Sequence, residues 1–215
     1  MPSGFVELDE LTNGWQGGQF IVIGARPAMG KTAVALQMLK TAAKHGVPAC
    51  MYSLEMSDVS LANRLLLSEC DISVERFRSG ELSEDEVSRI HRAAGVIEKL
   101  PVYIDDKPSV TINYIRNHAR LMHKREMRLD RGGLRSSRGA RLIIPGTVNR
   151  KFLTSTAPRR LSPGLNVPFI MLSQLNREAE KGWTKKPMLA DLRESGSIEQ
   201  GADIIASCTG RNITR

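Results

Sequence analysis

A short stretch near the N-terminus has the residue types and spacing of a phosphate-binding loop. The apolar run 20–23 stops at a loop broken by glycine and proline, and the loop ends in Gly30-Lys31-Thr32. A strand, a loop and a helix in this order let backbone N–H groups hold phosphates at the helix N-terminus. Lys31 would then reach the β- and γ-phosphates, and the Thr32 hydroxyl would bind Mg²⁺. The motif predicts ATP as the ligand and Mg²⁺ as its metal.

The loop departs from the usual spacing in one place. A glycine is expected at position 25, but the chain has Ala25 there and Gly24 one residue earlier. A plain turn that happens to contain Gly-Lys-Thr is the alternative, and the strand and helix patterns on either side favour the phosphate loop. The predicted nucleotide-binding residues are Ala25, Arg26, Pro27, Ala28, Met29, Gly30, Lys31, Thr32 and Ala33.

Two further apolar runs predict strands that end in carboxylates. The run 48–54 ends at Glu55, and a carboxylate at the carboxyl end of a strand beside a phosphate loop is placed to activate water. The alternative is an ordinary surface glutamate at the start of the next helix. The run 101–104 ends at Asp105 and Asp106. These two acids either hold a metal or, as we prefer, cap the strand end and begin a turn.

Helical patterns separate these strands, and residues 4–18 resemble a lead-in with turns. Apolar periodicity predicts helices over about 31–44, 61–67, 83–99 and 111–127. Ser83 and Glu86 have the spacing of a capping box. His118 and His123 lack a matching set of metal ligands, so we expect them to be solvated.

Several motifs along the chain resemble one family of enzymes. They are Gly4-Phe5, Leu8-Asp9, Leu11-Thr12, Gly14 and Gly17-Gly18 before the phosphate loop, and Ser53-Leu54-Glu55-Met56, Ile104-Asp105-Asp106, Ser173-Gln174-Leu175-Asn176-Arg177 and Arg193-Glu194-Ser195-Gly196-Ser197-Ile198-Glu199-Gln200 after it. In this order they resemble the C-terminal motor domain of bacterial replicative DNA helicases of the DnaB type. The resemblance covers about 1–130 and 165–206.

The resemblance implies an α/β fold with a RecA-like core, in which helices flank a mostly parallel sheet. It implies that the motor hydrolyses ATP to move along single-stranded DNA. Glu55 would be the catalytic base, Lys31 a phosphate contact, and Gln174 the sensor of the γ-phosphate. The run that begins at Arg193 would grip the DNA backbone through Arg193, Glu194 and Gly196. Alone, this run would more often be a helix cap.

The family also implies partners and a location. A homo-hexamer, single-stranded DNA, a primase and a helicase loader are the expected partners. The length of 215 residues suits one domain over 1–215, with no apolar run long enough to span a membrane. Three cysteines without metal spacing indicate reduced thiols in a cytoplasmic protein. Because Met1 begins almost directly on the motor domain, we expect the N-terminal helicase domain to be absent.

The net charge of +8 comes from one stretch, 131–164. This stretch holds eight basic side chains and no acidic one: Arg131, Arg135, Arg138, Arg141, Arg150, Lys151, Arg159 and Arg160. Removing these eight from the 31 basic residues leaves 23, which equals the number of acidic residues. The charge is therefore weak evidence for binding to nucleic acid.

The same stretch interrupts the family pattern. A motor of this class needs a strand that ends in Asp and holds Mg²⁺, yet the chain has no acidic residue between Asp130 and Glu178. Residues 131–141 predict neither strand nor amphipathic helix, and a loop of this length is unusual in a compact domain. We therefore treat 131–164 and 207–215 as aberrant.

Slips of the reading frame are our hypothesis for these stretches. Codons for 207–214 can be chosen so that the same bases, shifted one base earlier, permit F-L-Y-R-P-E-Y-Y, which resembles the continuation of the family. The same shift at 151–164 permits an amphipathic helix, and a shift one base later at 131–135 permits an apolar strand that ends in Asp. A genuine basic insertion is the alternative.

Two interpretations of different class follow. The first is the motor domain of a hexameric helicase with a locally corrupted sequence. The second is an inert or nucleotide-binding-only fragment of a decayed gene. Recombination ATPases of the RecA type share the fold but not the loop at Arg26-Pro27 or the run 193–200. As written, the chain is expected to hydrolyse no ATP above background, since the arginine finger of a neighbouring subunit is missing as well as the Asp.

Overall fold

The structure, a computed structural model, describes residues 1–26, 28–108, 110–130, 141–144, 166–175, 201–208 and 213–214. The helices are α1 Val6–Thr12, α2 Lys31–Lys44, α3 Asp58–Cys70, α4 Val74–Ser79, α5 Glu84–Ile97 and α6 Ile112–Asp130. The strands are β1 Phe20–Ala25, β2 Ala49–Tyr52, β3 Val102–Asp105, β4 Arg141–Ile144, β5 Phe169–Gln174, β6 Ile204–Cys208 and β7 Ile213–Thr214.

The strands form a mostly parallel sheet in the order β3-β2-β4-β5-β1-β6-β7. The pairings from β3 to β6 are parallel, and β7 pairs antiparallel with β6. Every residue of β1 is buried, as expected of a strand with helices on both faces. The predicted α/β fold is confirmed, and the carboxyl ends of the parallel strands meet at one edge.

Two apolar clusters fill the two faces of the sheet. On one face, Ile21 and Ile23 of β1 pack with Met38 and Leu39 of α2. On the other, Phe20 and Val22 pack with Ile115 and Ala119 of α6, in a cluster that also contains Tyr52. Alternate residues of β1 therefore bury opposite faces of the sheet. Among the described residues, no helix has the length and apolar character needed to cross a membrane.

Local signals place several elements where the sequence predicts them. Ser83 accepts a hydrogen bond from the Glu86 backbone, and Glu86 accepts one from the Ser83 backbone. This is the predicted capping box of α5. Asn13 and Gly14 both have positive φ angles, 53° and 69°, in the predicted turn.

Five elements differ from the sequence prediction. The lead-in contains α1, and a short helix, α4, follows α3. The sequence predicts no strand over 131–141, yet β4 begins at Arg141. An apolar triplet is enough for β4 because β2 and β5 pair with it on both sides. β6 continues into the stretch 207–215, because Ser207 and Cys208 continue the pairing with β1, and β7 follows it.

Candidate nucleotide-binding site

The phosphate loop leaves the sheet at the end of β1 and returns as α2. Its backbone turns through two residues with positive φ, Ala28 at 62° and Gly30 at 82°. Gly30 is the N-cap of α2, and no atom would crowd a Cβ added there. Its φ angle, and not a lack of space, therefore favours glycine. This geometry leaves the first N–H groups of α2 free for an anion.

A cavity of about 380 Å³ lies over the loop at the carboxyl edge of the sheet. The residues that line it are Ala25, Arg26, Ala28, Gly30, Lys31, Thr32, Ala33, Glu55, Arg64 and Gln174. Most of the predicted nucleotide-binding residues therefore line this cavity. Glu55 and Gln174, which the sequence analysis assigns to catalysis together with Lys31, line it as well. Met29 lies in the loop without lining the cavity, and Pro27 lies outside the described residues.

Lys31 is a half-buried cation that lines this cavity. Burial lowers the pKa of Lys31 from its ordinary value of 10.5, and the nearby negative charge of Glu55 acts in the opposite direction. The protein therefore holds a partly desolvated ammonium group next to the loop. A bound phosphate would supply the negative charge that this group needs.

The turn after β2 carries Glu55 into the cavity. The Ser53 hydroxyl donates to the Met56 carbonyl at 2.6 Å, and the Met56 N–H donates to the same hydroxyl oxygen at 3.1 Å. These two bonds close the turn around Glu55. The exposed carboxylate of Glu55 can therefore reach water while its backbone is fixed.

Gln174 enters from the neighbouring strand. It is the last residue of β5 and pairs in register with Ala25, where the phosphate loop begins. The Leu175 N–H donates to the Ala25 carbonyl at 3.0 Å, which continues this pairing past the strand end. An amide at this position lies beside the loop and can sense what the loop binds.

Arg64 of α3 also lines the cavity, and the sequence analysis missed it. Leu61 and Leu65 form the buried stripe of α3, and exposed Arg64 borders that stripe on the helix that follows Glu55. The position of an arginine beside the buried face of α3 could have indicated from the sequence that Arg64 lines the site. Its guanidinium can donate several hydrogen bonds to a phosphate.

The described residues fit a nucleotide but do not fit a metal held by the protein. Thr32 lines the cavity, as the motif requires. The strand between β2 and β5 is β4, in which Ile143 pairs with Met51 and Ile144 with Met171. No acidic residue follows β4 before Glu178 in the sequence. Mg²⁺ in phosphate-loop enzymes takes a threonine and a carboxylate from such a strand, and the described part of this site supplies only the threonine.

The two acids at the end of β3 have structural partners. The Asp105 carboxylate accepts hydrogen bonds from the Tyr114 hydroxyl at 2.8 Å and the Lys107 N–H at 3.2 Å. The Asp106 carboxylate accepts one from the N–H of Asp58, the first residue of α3, at 3.1 Å. The bond from Lys107 matches the predicted turn, whereas the Asp106 carboxylate contacts the start of α3 instead of the strand end.

The expectation that His118 is solvated holds only in part, because its side chain is 31% exposed and packs on one side. Its Nδ1 lies 2.9 Å from the Tyr52 hydroxyl, and its ring stacks on that of Tyr114 with centroids 5.7 Å apart. Packing of α6 on β2 brings these groups together. The side chain of His123, and the predicted DNA contacts Arg193, Glu194 and Gly196, lie outside the described residues.

Known proteins resemble the chain over most of its length. It is 41% identical over 210 residues to "Replicative DNA helicase DnaB" of Leifsonia xyli subsp. xyli (strain CTCB07), which covers 95% of this chain and 45% of that protein. It is 36% identical over 216 residues to "Replicative DNA helicase DnaC" of Bacillus subtilis (strain 168), which covers 96% and 46%. The chain therefore spans about half the length of these curated relatives.

Solved structures agree with the fold. A solved ATPase domain superposes with a TM-score of 0.81 at 31% identity, covering 96% of this chain and 74% of that one. "The Structure Of A DnaB-Like Replicative Helicase And Its Interactions With Primase" superposes with a TM-score of 0.84 at 31% identity, covering 96% and 50%. The predicted RecA-like fold is confirmed by these neighbours.

The model of the DnaB-like helicase C terminal domain family matches residues 1–131 and 152–213. The gap between the two matched segments, 132–151, falls within the basic stretch 131–164. The matched segments contain the phosphate loop, the Glu55 turn and Gln174. The chain belongs to the family of DnaB-like helicase C-terminal domains.

Proposed function

We propose that this chain is the ATP-binding motor domain of a replicative DNA helicase, and that its frame-corrected form translocates on single-stranded DNA and unwinds the duplex. The observation that carries the proposal is the cavity that joins Lys31, Glu55 and Gln174 over the phosphate loop. Membership of the helicase family supports the same function.

Each residue has a role that follows from its position. The loop N–H groups and the Lys31 ammonium bind the phosphates of ATP. Glu55 accepts a proton from the attacking water, and Gln174 senses the γ-phosphate at the end of β5. Thr32 is the protein ligand available to Mg²⁺, which would neutralise charge on the phosphates. We assign no step to the metal because its carboxylate ligand is missing.

Single-stranded DNA is the proposed macromolecular partner. Arg193 would contact the backbone phosphates, with Glu194 and Gly196 shaping the loop. A homo-hexamer, a primase and a helicase loader complete the proposed assembly, and one structural neighbour is a DnaB-like helicase described with its interactions with primase. Cys50, Cys70 and Cys208 are free and buried, which supports a cytoplasmic location.

A nucleotide-binding-only protein is the second candidate. It is favoured by β4, which takes the place between β2 and β5 but is followed by no carboxylate before Glu178. Both candidates bind ATP through Lys31, and they differ in whether the source gene encodes the missing carboxylate.

Resequencing the gene separates the two candidates. The informative regions are codons 128–166 and codon 205 onward. An intact frame in the source DNA supports the helicase motor, and a confirmed slip supports the fragment. Where a slip is found, the frame-corrected protein should unwind a forked DNA duplex with ATP, and its Lys31→Ala variant should not. A corrected protein that folds but does not unwind DNA would contradict the helicase proposal.

A further inference from the structure

The Asp105-Asp106 corner joins three elements around the candidate nucleotide site. The Asp106 carboxylate accepts the N–H of Asp58, which opens α3. Ser57 caps the same helix by accepting the Ser60 N–H at 3.3 Å. The first N–H groups of a helix have no partner within it, and a carboxylate there also interacts favourably with the helix dipole. Asp106 thus ties the start of α3 to the end of β3.

The segment held by Asp106 carries two residues of the cavity. Glu55 lies three residues before Asp58, and Arg64 lies six residues after it. The Ser53 N–H donates to the Asp105 carbonyl at 2.8 Å, so the other end of the segment is also tied to β3. The path from Ser53 to α3 is therefore fixed at both ends by the same corner.

The corner is itself anchored to α6. The Tyr114 hydroxyl donates to the Asp105 carboxylate at 2.8 Å, and Lys107 Nζ donates to that hydroxyl at 2.8 Å. The Asp105 side chain is only 12% exposed. The His118 ring stacks on the ring of Tyr114, which adds a further contact on this side. These contacts hold the Asp105-Asp106 corner against α6, and the corner in turn fixes the start of α3.

We propose that Asp106 is a positioning residue for the γ-phosphate end of the nucleotide site. By fixing the start of α3, it sets where Glu55 and Arg64 stand relative to the phosphate loop. The loop itself holds the inner phosphates without α3. Loss of Asp106 should therefore weaken ATP binding and leave ADP binding unchanged. This inference rests on the proposed nucleotide site.

The test compares the ATP and ADP affinities of purified variants by calorimetric titration. Asp106→Ala should weaken ATP binding about fivefold, the size expected for loss of one hydrogen bond, with no change for ADP. Asp106→Asn keeps an acceptor oxygen and should restore most of the preference for ATP. Asp106→Glu moves the carboxylate by one methylene and should also lower the ratio of ATP to ADP affinity. This variant provides the test if the alanine variant unfolds.

Glu86→Ala is the matched control. It removes the capping box of α5, a helix that does not line the cavity, and should lower the melting temperature without changing the ratio of ATP to ADP affinity. An unchanged ratio in both Asp106→Ala and Asp106→Glu, or equal losses for ATP and ADP, overturns the inference alone. Absence of Lys31-dependent ATP binding in the unmodified chain overturns the proposed function as well.

Discussion

Replacing Lys31 by alanine should remove most of the ATP affinity of this chain. Lys31 is the cation at the start of α2, and it lines the cavity beside the loop. In the proposed function it makes charge-assisted hydrogen bonds to the β- and γ-phosphates, each worth about 1.5–3 kcal/mol. Two such bonds amount to roughly 3–6 kcal/mol, or about a 10²–10⁴-fold change in affinity.

The structure favours the lower end of this range. Burial already lowers the pKa of Lys31, so part of the gain from the phosphates offsets the cost of desolvating the ammonium group. We therefore expect a loss of about 10²-fold. For the same reason, Lys31→Ala should not lower the melting temperature, because it removes a charge that is poorly solvated in the folded chain.

Titration with a fluorescent ATP analogue measures the loss, and Lys44→Ala is its control. Lys44 lies on the same helix, but its ammonium pairs with Glu69 at 2.6 Å and its side chain is 43% exposed. ATP affinity should be unchanged in this control. Equal affinities in the unmodified chain and Lys31→Ala would refute the assignment of the phosphate loop.

Three further predictions concern the same machinery. ATP affinity should fall as the pH rises from the lowered pKa of Lys31 towards 10.5, because phosphates bind the charged lysine, and titrations of Lys31→Ala should lack this slope. In a frame-corrected protein, Glu55→Gln should keep nucleotide binding and lose about 10²–10⁴-fold in turnover, and a variant with the original rate would exclude Glu55 as the base. In a corrected hexamer, Arg193→Ala should weaken single-strand binding and reduce its salt dependence by about one contact per subunit, whereas an unchanged salt slope would make Arg193 structural.

The pH effect on folding has the opposite sign to its effect on binding. The unfolded chain holds the proton of Lys31 more tightly than the folded chain, because burial lowers the pKa only in the folded state. Stability should therefore rise with pH between the lowered value and 10.5. A thermal melting series across this range measures it.

The parts of the fold that the sequence predicts are those with local signals. The phosphate loop follows from the order of residue types between β1 and α2, and the start of α5 follows from the spacing of Ser83 and Glu86. Gln174 was identified through the resemblance of the run 173–177 to the helicase family. In each case, a few neighbouring residues determine the local conformation.

The remaining features depend on contacts between distant residues. The pairing of Tyr52 with His118 joins positions that are 66 residues apart, so no local pattern indicates it. Arg64 reaches the cavity because of how α3 leaves the Glu55 turn. β4 is short and lies in a stretch of sequence rich in basic residues. Its strand conformation comes from pairing with its neighbours β2 and β5.

The most direct test is to measure ATP binding and ATP hydrolysis by the purified chain in the presence of Mg²⁺ and single-stranded DNA. The central claim is that this helicase-family domain keeps the ATP site but lacks the carboxylate that turnover needs. The account predicts ATP binding that depends on Lys31, with turnover no faster than that of the Lys31→Ala variant. Robust DNA-stimulated turnover that Lys31→Ala abolishes would contradict the account, and would show that 131–164 is a genuine insertion in a working motor.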